Sequence, residues 1–402
     1  MRLTLGACGV VLLAGLSLAI VSANPVIAAQ GAEVLRRVIG EENTATLETW
    51  VLGWQDRVQS LVYRADGDQS QAPWASPTPA PTATLVAPTA TVDLSTRPSG
   101  IRPTPPPTRT LAPDPPRPTP TAPPEHLPAA LKPMGQLAGE GQWSVYLNNP
   151  AGEPVAYRTF LQPDAQRGYA VAAIVAIDLT AVRLHFMLGS QEPASNVPID
   201  RPGRIPSADV KSGLLLAAFN GGFKAEHGQF GAMQNGVVVL APRDGFGTVA
   251  IYDDGRVSIG SWGNDVFWAD GLRNWRQNGP LIVQGGQINP HTADNTPEDW
   301  GYTVSGDTAT WRSGLAISQD GQTLYYMAGS YLTLPVLAQV MQDTGATNGI
   351  QLDINGYWVL FETFRPADGG LQPDPLLDGM KNDGRYLHPF DRDFFYLTAN
   401  AN

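Results

Sequence analysis

What this 402-residue chain has little of narrows its function first. It carries one cysteine, Cys8, inside the N-terminal apolar run, so the rest can build no disulfide framework, cysteine zinc cluster or thiol nucleophile. Its five histidines never pair at metal-ligand spacing. Charged residues make up only 16%, and Lys+Arg 26 against Asp+Glu 37 leave a net charge of −11. That balance argues against a nucleic-acid partner, because such binding needs a basic surface to displace counterions. GxSxG, HExxH, a P-loop and GxGxxG after a strand are all missing, so serine-hydrolase, zincin, NTP and dinucleotide readings lose their main support. No repeat of 20–50 residues is visible.

The first 130 residues read as delivery and spacing. Arg2 is the only charged side chain before Glu33, and an apolar run, Leu3 to Val21, lies between them. Val21-Ser22-Ala23 and Ile27-Ala28-Ala29 both suit signal cleavage. The run is also close to the ~20 residues that span a bilayer. Residues 1–29 are therefore expected to be a signal peptide or a membrane anchor, placing the protein outside the cell or on its surface. Residues 30–66 read as an amphipathic helix, with Leu47, Trp50, Val51, Trp54, Val58, Leu61 and Val62 on one face and Glu48, Asp56, Arg57 and Arg64 on the other. Such a face needs a cover: the main domain, a protein partner or a second copy. Glu41, Glu42 and Glu48 speak against a membrane surface. Residues 73–128 hold 18 of the 36 prolines in a Pro/Thr/Ala-rich stretch, expected to be a disordered, extended linker that displays a domain.

Residues 131–402 form the globular part. After residue 129 come 17 basic and 27 acidic residues, so this part carries most of the negative charge. Strands are expected at Trp143–Leu147, Val155–Phe160, Tyr169–Ile177 and Val182–Leu188. Asn235-Gly236, Asp254-Gly255 and Asp320-Gly321 mark hairpins, making Val237–Leu240, Thr248–Tyr252 and Arg256–Ser261 consecutive antiparallel strands. Helices are expected at Pro206–Leu216 and, with Thr333 as N-cap and Gly345 just beyond the end, at Leu334–Thr344. Strands Thr323–Ala328 and Gly349–Asp353 flank the latter as a βαβ crossover. The fold class is α+β: a large mixed or antiparallel sheet with few crossover helices, preceded by the N-terminal helix and the Pro-rich linker.

Four segments stand out. Leu214–Phe223 runs from an apolar strand into Asn220-Gly221-Gly222, either a tight turn or a place where backbone amides approach a ligand. Lys224, Glu226 and His227 follow closely. Arg312 precedes apolar residues 314–317, as a surface ion-pair partner or as a fork for phosphate or carboxylate. Gly349–Tyr357 ends a strand at Asp353, and ligands sit beyond the carboxyl ends of strands in open α/β sheets. Asp353-Ile354-Asn355-Gly356 fits a turn or part of a calcium loop, though it lacks EF-hand spacing. No cofactor is expected, calcium being the one candidate, and no metal ligands are assigned. Asn278-Gly279-Pro280 leads into a further strand.

In this order the four segments resemble the phosphodiester glycosidase domain family over roughly Trp143 to Phe364. Asn220-Gly221-Gly222-Phe223 is similar to its NGGFF-like element, with Gly228 or Gly231 as the glycine that follows. Arg312-Ser313-Gly314-Leu315-Ala316 resembles its R-T-A-I-G element. Leu352 to Tyr357 resembles L-D-G-G-G-S. Two departures are plain: Lys224 stands for the second Phe, and Ile354-Asn355-Gly356-Tyr357 for the Gly-Gly-Gly-Ser tail.

The resemblance implies cleavage of a sugar C1–O bond to a phosphodiester. Phosphate is a good leaving group, so a pair of carboxylates is less necessary than in ordinary glycoside hydrolysis. It implies Arg312 as the cation for the departing phosphate, Asp353 as the carboxylate facing the sugar, and Asn220 as a third catalytic group, all within one concave site. Gly221, Gly222, Lys224, His227, Asn278, Asn355 and Gly356 would bind substrate, a glycan or phosphodiester-linked sugar polymer of the cell envelope. The alternative is a non-catalytic carbohydrate or cell-wall module on a stalk, with Trp262, Trp268, Trp275 and Trp300 as stacking platforms, unless these are core aromatics.

Overall fold

Short turns set the sheet pairing. The computed structural model describes residues 31, 34–35, 38–67, 70, 72–74, 127–293, 300 and 306–400. The leader at 1–29 and nearly all of the Pro-rich stretch lie outside these residues. Among the described residues eighteen strands form three sheets, and every strand pair is antiparallel. The first sheet runs β1 (Ser144–Asn148), β2 (Pro154–Leu161), β3 (Ala172–Asp178), β14 (Thr323–Leu332), β13 (Thr310–Ile317), β15 (Asn348–Ile354), β11 (Leu281–Gln284), β12 (Gln287–Ile288). The second runs β17 (Gly370–Pro375), β16 (Phe361–Ala367), β5 (Leu215–Asn220), β18 (Phe394–Ala399), β4 (Val182–Met187). The third runs β7 (Val237–Leu240), β6 (Ala232–Gln234), β10 (Leu272–Gln277), β8 (Gly247–Tyr252), β9 (Val257–Ser261).

The hairpin signals fall where expected. Asn235 and Gly236 join β6 to β7 with φ of 52° and 80°, a turn in which both central residues need positive φ. Asp254-Gly255 joins β8 to β9, and Asp320-Gly321 joins β13 to β14. One expectation is corrected. Val237–Leu240 and Thr248–Tyr252 are not neighbours, because β6 and β10 lie between them. Turn chemistry specifies which strands join, whereas pairing across the sheet is settled by side-chain packing.

The α-helices whose bounds fall within the described residues are α1 (Glu41–Ala65), α2 (Ser207–Lys211) and α3 (Leu334–Asp343). The Thr333 hydroxyl caps α3 by accepting from the Val336 amide. The expected helix at 206–216 is cut to α2, because Leu215–Asn220 enters the second sheet as β5, paired with both β16 and β18. The crossover exists in split form. β14 and β15 both run antiparallel to β13, so they are parallel to each other with β13 between them. α3 covers one face of the first sheet, with Leu334, Leu337, Ala338 and Met341 packed on Ala316, Met327 and Trp300. The second sheet meets the opposite face, where Tyr326 of β14 packs on Phe219 and Phe361 at 5.1 and 5.0 Å.

The alternative stacking platforms are mostly interior. Trp262 and Trp275 belong to the core of the third sheet and Trp300 to the core under α3, while Trp268 is exposed.

Candidate active site at the end of β5

Register brings the site together. Phe394 of β18 pairs with Asn220 of β5, so Arg392-Asp393, just before β18, lies beside Gly221-Gly222, just after β5. The Asp353 amide donates to the Gly221 carbonyl at 3.0 Å, which adds the end of β15. Asn278, following β10, accepts from the Phe223 amide at 3.0 Å and donates to the Gln351 carbonyl at 2.7 Å.

Two ion pairs occupy this junction. Arg276 donates through Nε to Asp393 Oδ2 at 2.8 Å, and its other nitrogens reach the carbonyls of Phe223, Phe230 and Gln277. Asp393 Oδ2 also accepts from the Gly222 amide at 3.1 Å, and its carbonyl accepts from the Gly221 amide at 3.0 Å. Glycine is required at 221, because a Cβ there would lie 2.2 Å from Asp393 Oδ2. The second pair is Arg392 with Asp353: Arg392 Nη2 donates to Asp353 Oδ2 and, at 3.0 Å, to the Gly222 carbonyl. The Arg392 guanidinium lies 4.6 Å from the Trp358 ring centre. Its Nε has no hydrogen-bond partner among the described residues. Side-chain exposure ranks the pairs: 2% and 0% for Arg276 and Asp393, 6% and 8% for Arg392 and Asp353. Both pairs are buried, and the second is the slightly more exposed of the two.

Burial pushes the Asp353 carboxyl up to about 6, helped by the nearby Asp393 carboxylate. Arg392, the Ile354 amide and Arg276 oppose the rise. A buried carboxyl poised near neutrality, beside a cation with a donor to spare, is a common mark of a reacting site.

The structure separates the residues that sequence grouped. Arg312 is fully buried and lies on the α3 face of the first sheet, donating to the carbonyls of Leu332, Gly306 and Thr308 and to Gln351 Oε1. Asp353 faces the second sheet instead. Simple alternation would put Gln351 and Asp353 on one face, but the register of β15 against β13 slips by one residue between them. Arg312 is therefore not within the Asp353 site, contrary to expectation. Arg312→Met would orphan several carbonyls at ~1–3 kcal/mol each. It should lower the denaturation midpoint while leaving kcat per folded molecule unchanged, as denaturation and activity assays on one sample would establish.

Asn220 is equally committed to structure. Its amide nitrogen donates to Ser313 Oγ and the Gly221 carbonyl, and its oxygen accepts from Tyr326 and the Leu360 amide. Two donors and two acceptors exhaust a side-chain amide. The amides of Gly221 and Gly222, expected to face a ligand, are spent on Asp393. Asn278 braces the loop, as above. Lys224 and His227 flank Glu226, at 3.4 and 3.7 Å, on the short 3₁₀ turn Ala225–His227 next along the chain. Asn355, at φ 82°, is exposed and caps its own turn by accepting from the Tyr357 amide. Gly356 lies against Trp311. Among the described residues no group of three His, Cys, Asp or Glu could hold a metal ion.

Sequence reasoning missed Arg276, Arg392 and Asp393. A signal was present: Asp391-Arg392-Asp393 stands directly before an apolar run, Phe394–Ala399, in a chain poor in charge. Helix α1 also reaches this corner, where Leu52 packs on the cluster of Phe223, Phe230 and Ile354.

Residues 214–353 match the family model for phosphodiester glycosidases. Among solved structures, the chain is similar to the zebrafish N-acetylglucosamine-1-phosphodiester alpha-N-acetylglucosaminidase catalytic domain auto-inhibited by its pro-peptide. There the identity is 17%, the match covers 65% of this chain and 88% of that one, and the TM-score is 0.41. A hypothetical protein from Synechocystis is 10% identical over 61% of this chain and 62% of that one, with a TM-score of 0.35. No curated protein matches the chain.

Proposed function

We propose, from the phosphodiester glycosidase match over residues 214–353 and the paired charges beside it, that the globular part hydrolyses the C1–O bond of a sugar-1-phosphodiester. One observation carries the reading. The matched aspartate, Asp353, is a buried carboxylate paired with Arg392, the more exposed of the two arginines here, whose buried Nε has no partner among the described residues. A phosphodiester oxygen bound at that guanidinium would place the leaving group next to the carboxylate. Asp353 would then stabilise the positive charge growing at C1, or orient the attacking water. Arg392 takes the role that the resemblance gave to Arg312. Envelope polymers are the proposed natural substrates, and export to the cell surface is the proposed setting. Lys224 and His227 are proposed to border the substrate's phosphate side.

Release of a chromophore from a sugar-1-phosphodiester tests the activity, with Arg392→Gln expected to abolish it. No release by the wild type from any such diester would overturn the proposal.

The pH profile has a definite sign. Asp353 works ionised, so kcat/KM should rise with pH through about 6 and level off above it. In Arg392→Lys, which keeps a charge but not the fork, the acid limb should move to higher pH, since Arg392 is the largest of the influences that hold the value down. An unmoved limb would remove Asp353 as its source. Stability has the opposite slope. A carboxyl at 3.8 when unfolded and about 6 when folded binds more protons in the folded state, so this group's contribution falls between those two pH values.

A further inference from the structure

Helix α1 is inside out. Towards the domain it presents Leu52, Asp56 and Tyr63, spaced four and seven residues apart. Asp56 accepts from Arg167 Nε at 3.0 Å and from the Tyr169 hydroxyl at 2.7 Å, and Tyr63 meets Tyr169 edge-on at 5.6 Å. At about 100° per residue, the opposite side of the helix carries Leu47, Trp50, Trp54, Val58 and Leu61. Trp50, Trp54 and Leu61 are 56%, 42% and 66% exposed. Val34, Leu35, Val38 and Ile39 are exposed as well and carry the apolar surface past Gly40. The domain thus takes up a mixed side of α1, Leu52 and Tyr63 with Asp56, and leaves most of its apolar side open.

We infer that this outward face of α1 lies in the interfacial zone of a lipid bilayer. Four features favour lipid over a second copy. Two tryptophans sit at the centre of the face, and this side chain settles at membrane–water boundaries. Arg57 and Arg64 line one edge, where their stems can lie along the acyl boundary and their heads meet anionic headgroups. A self-pairing seam would instead place charges along both edges. In sequence, the apolar run Leu3–Val21 ends fewer than ~20 residues before this surface, within easy reach of the same bilayer. The glutamate objection also weakens. Glu48 sits about 120° round the helix from Trp54, off the outward face. No helix among the described residues is long and apolar enough to cross a membrane. Because the other side of α1 is latched to the domain and Leu52 touches the Phe223–Ile354 corner, the candidate site is held at the bilayer rather than away from it.

The test uses the full chain with vesicles of phosphatidylcholine and phosphatidylglycerol, with and without bromine on the acyl chains. Bromine quenches tryptophan only by contact. The wild type should lose a component of its emission to bromolipid, and Trp50→Phe/Trp54→Phe should lack that component. Both substitutions are conservative and exposed, so folding is kept; unchanged emission from the other tryptophans without bromolipid checks this. Equal fractional quenching in the two proteins would overturn the inference. So would protection of Trp50 and Trp54 from bromine in a dimer seen by light scattering, which would assign the face to a second copy.

Discussion

Asparagine in place of Asp353 should lower kcat by ~10²-fold or more, the scale of a lost electrostatic or general-base group. From sequence alone, folding would be expected to survive this change, on the view that a ligand-facing carboxylate contributes little to the core. The structure alters that expectation. Asp353 is the anionic partner of Arg392 in a site with almost no solvent, and an asparagine NH₂ turned towards the guanidinium would set donor against donor. Breaking one side of a buried pair costs about 3–5 kcal/mol, somewhat less where a few per cent of the surface is exposed. Activity and melting temperature should therefore fall together. Asp353→Asn/Arg392→Gln separates the two effects: stability should return in part and activity should not. A double variant that regains turnover along with stability would show that the pair only supports the loop.

Arg276→Met should produce the largest loss of stability. The guanidinium is buried and binds Asp393 and three carbonyls, and Asp393 in turn secures the amide of Gly222. Its removal leaves a buried carboxylate uncompensated, at about 3–5 kcal/mol, before the orphaned carbonyls are counted. Urea unfolding should show a lower midpoint with an unchanged slope. The remaining folded protein should be inactive, because the Gly221–Phe223 loop loses its anchor. Arg276→Met/Asp393→Asn should recover part of the loss, since the unpaired charge goes with it. A shift below ~1 kcal/mol for the single variant would mean that solvent already reaches this pair.

Much of the fold was readable because its signals are local. Asn235-Gly236, Asp254-Gly255 and Asp320-Gly321 need particular backbone angles and act alone as hairpin marks. Thr333 and Gly345 bracket α3 by capping chemistry that depends on neighbours within a few residues. Alternation and apolar runs placed seven strands to within a residue or two, while β16, β17 and β18 carried no expectation. The exception was 206–216, where a helical spacing yielded to two partners, β16 and β18, that no local pattern could announce.

The site divides in the same way. The family resemblance of the sequence grouped Asn220-Gly221-Gly222 with Asp353, and the structure places the two segments in contact, the Asp353 amide on the Gly221 carbonyl. The sequence could not determine which arginine serves Asp353. Arg312 is about as near along the chain as Arg392 and stands in the neighbouring strand, yet a one-residue slip in β15 turns Asp353 to the other face of the sheet. Arg392 lies beyond every recognisable motif and arrives through the pairing of β18 with β5. The direction of α1 was hidden for the same reason. An amphipathic pattern says that a helix has two sides, and only the docking of Asp56 on Arg167 and Tyr169 decides which side meets the protein. Local stereochemistry is written residue by residue, whereas the face a side chain points to, and the partner it meets there, depend on registers between segments from about forty to more than a hundred residues apart.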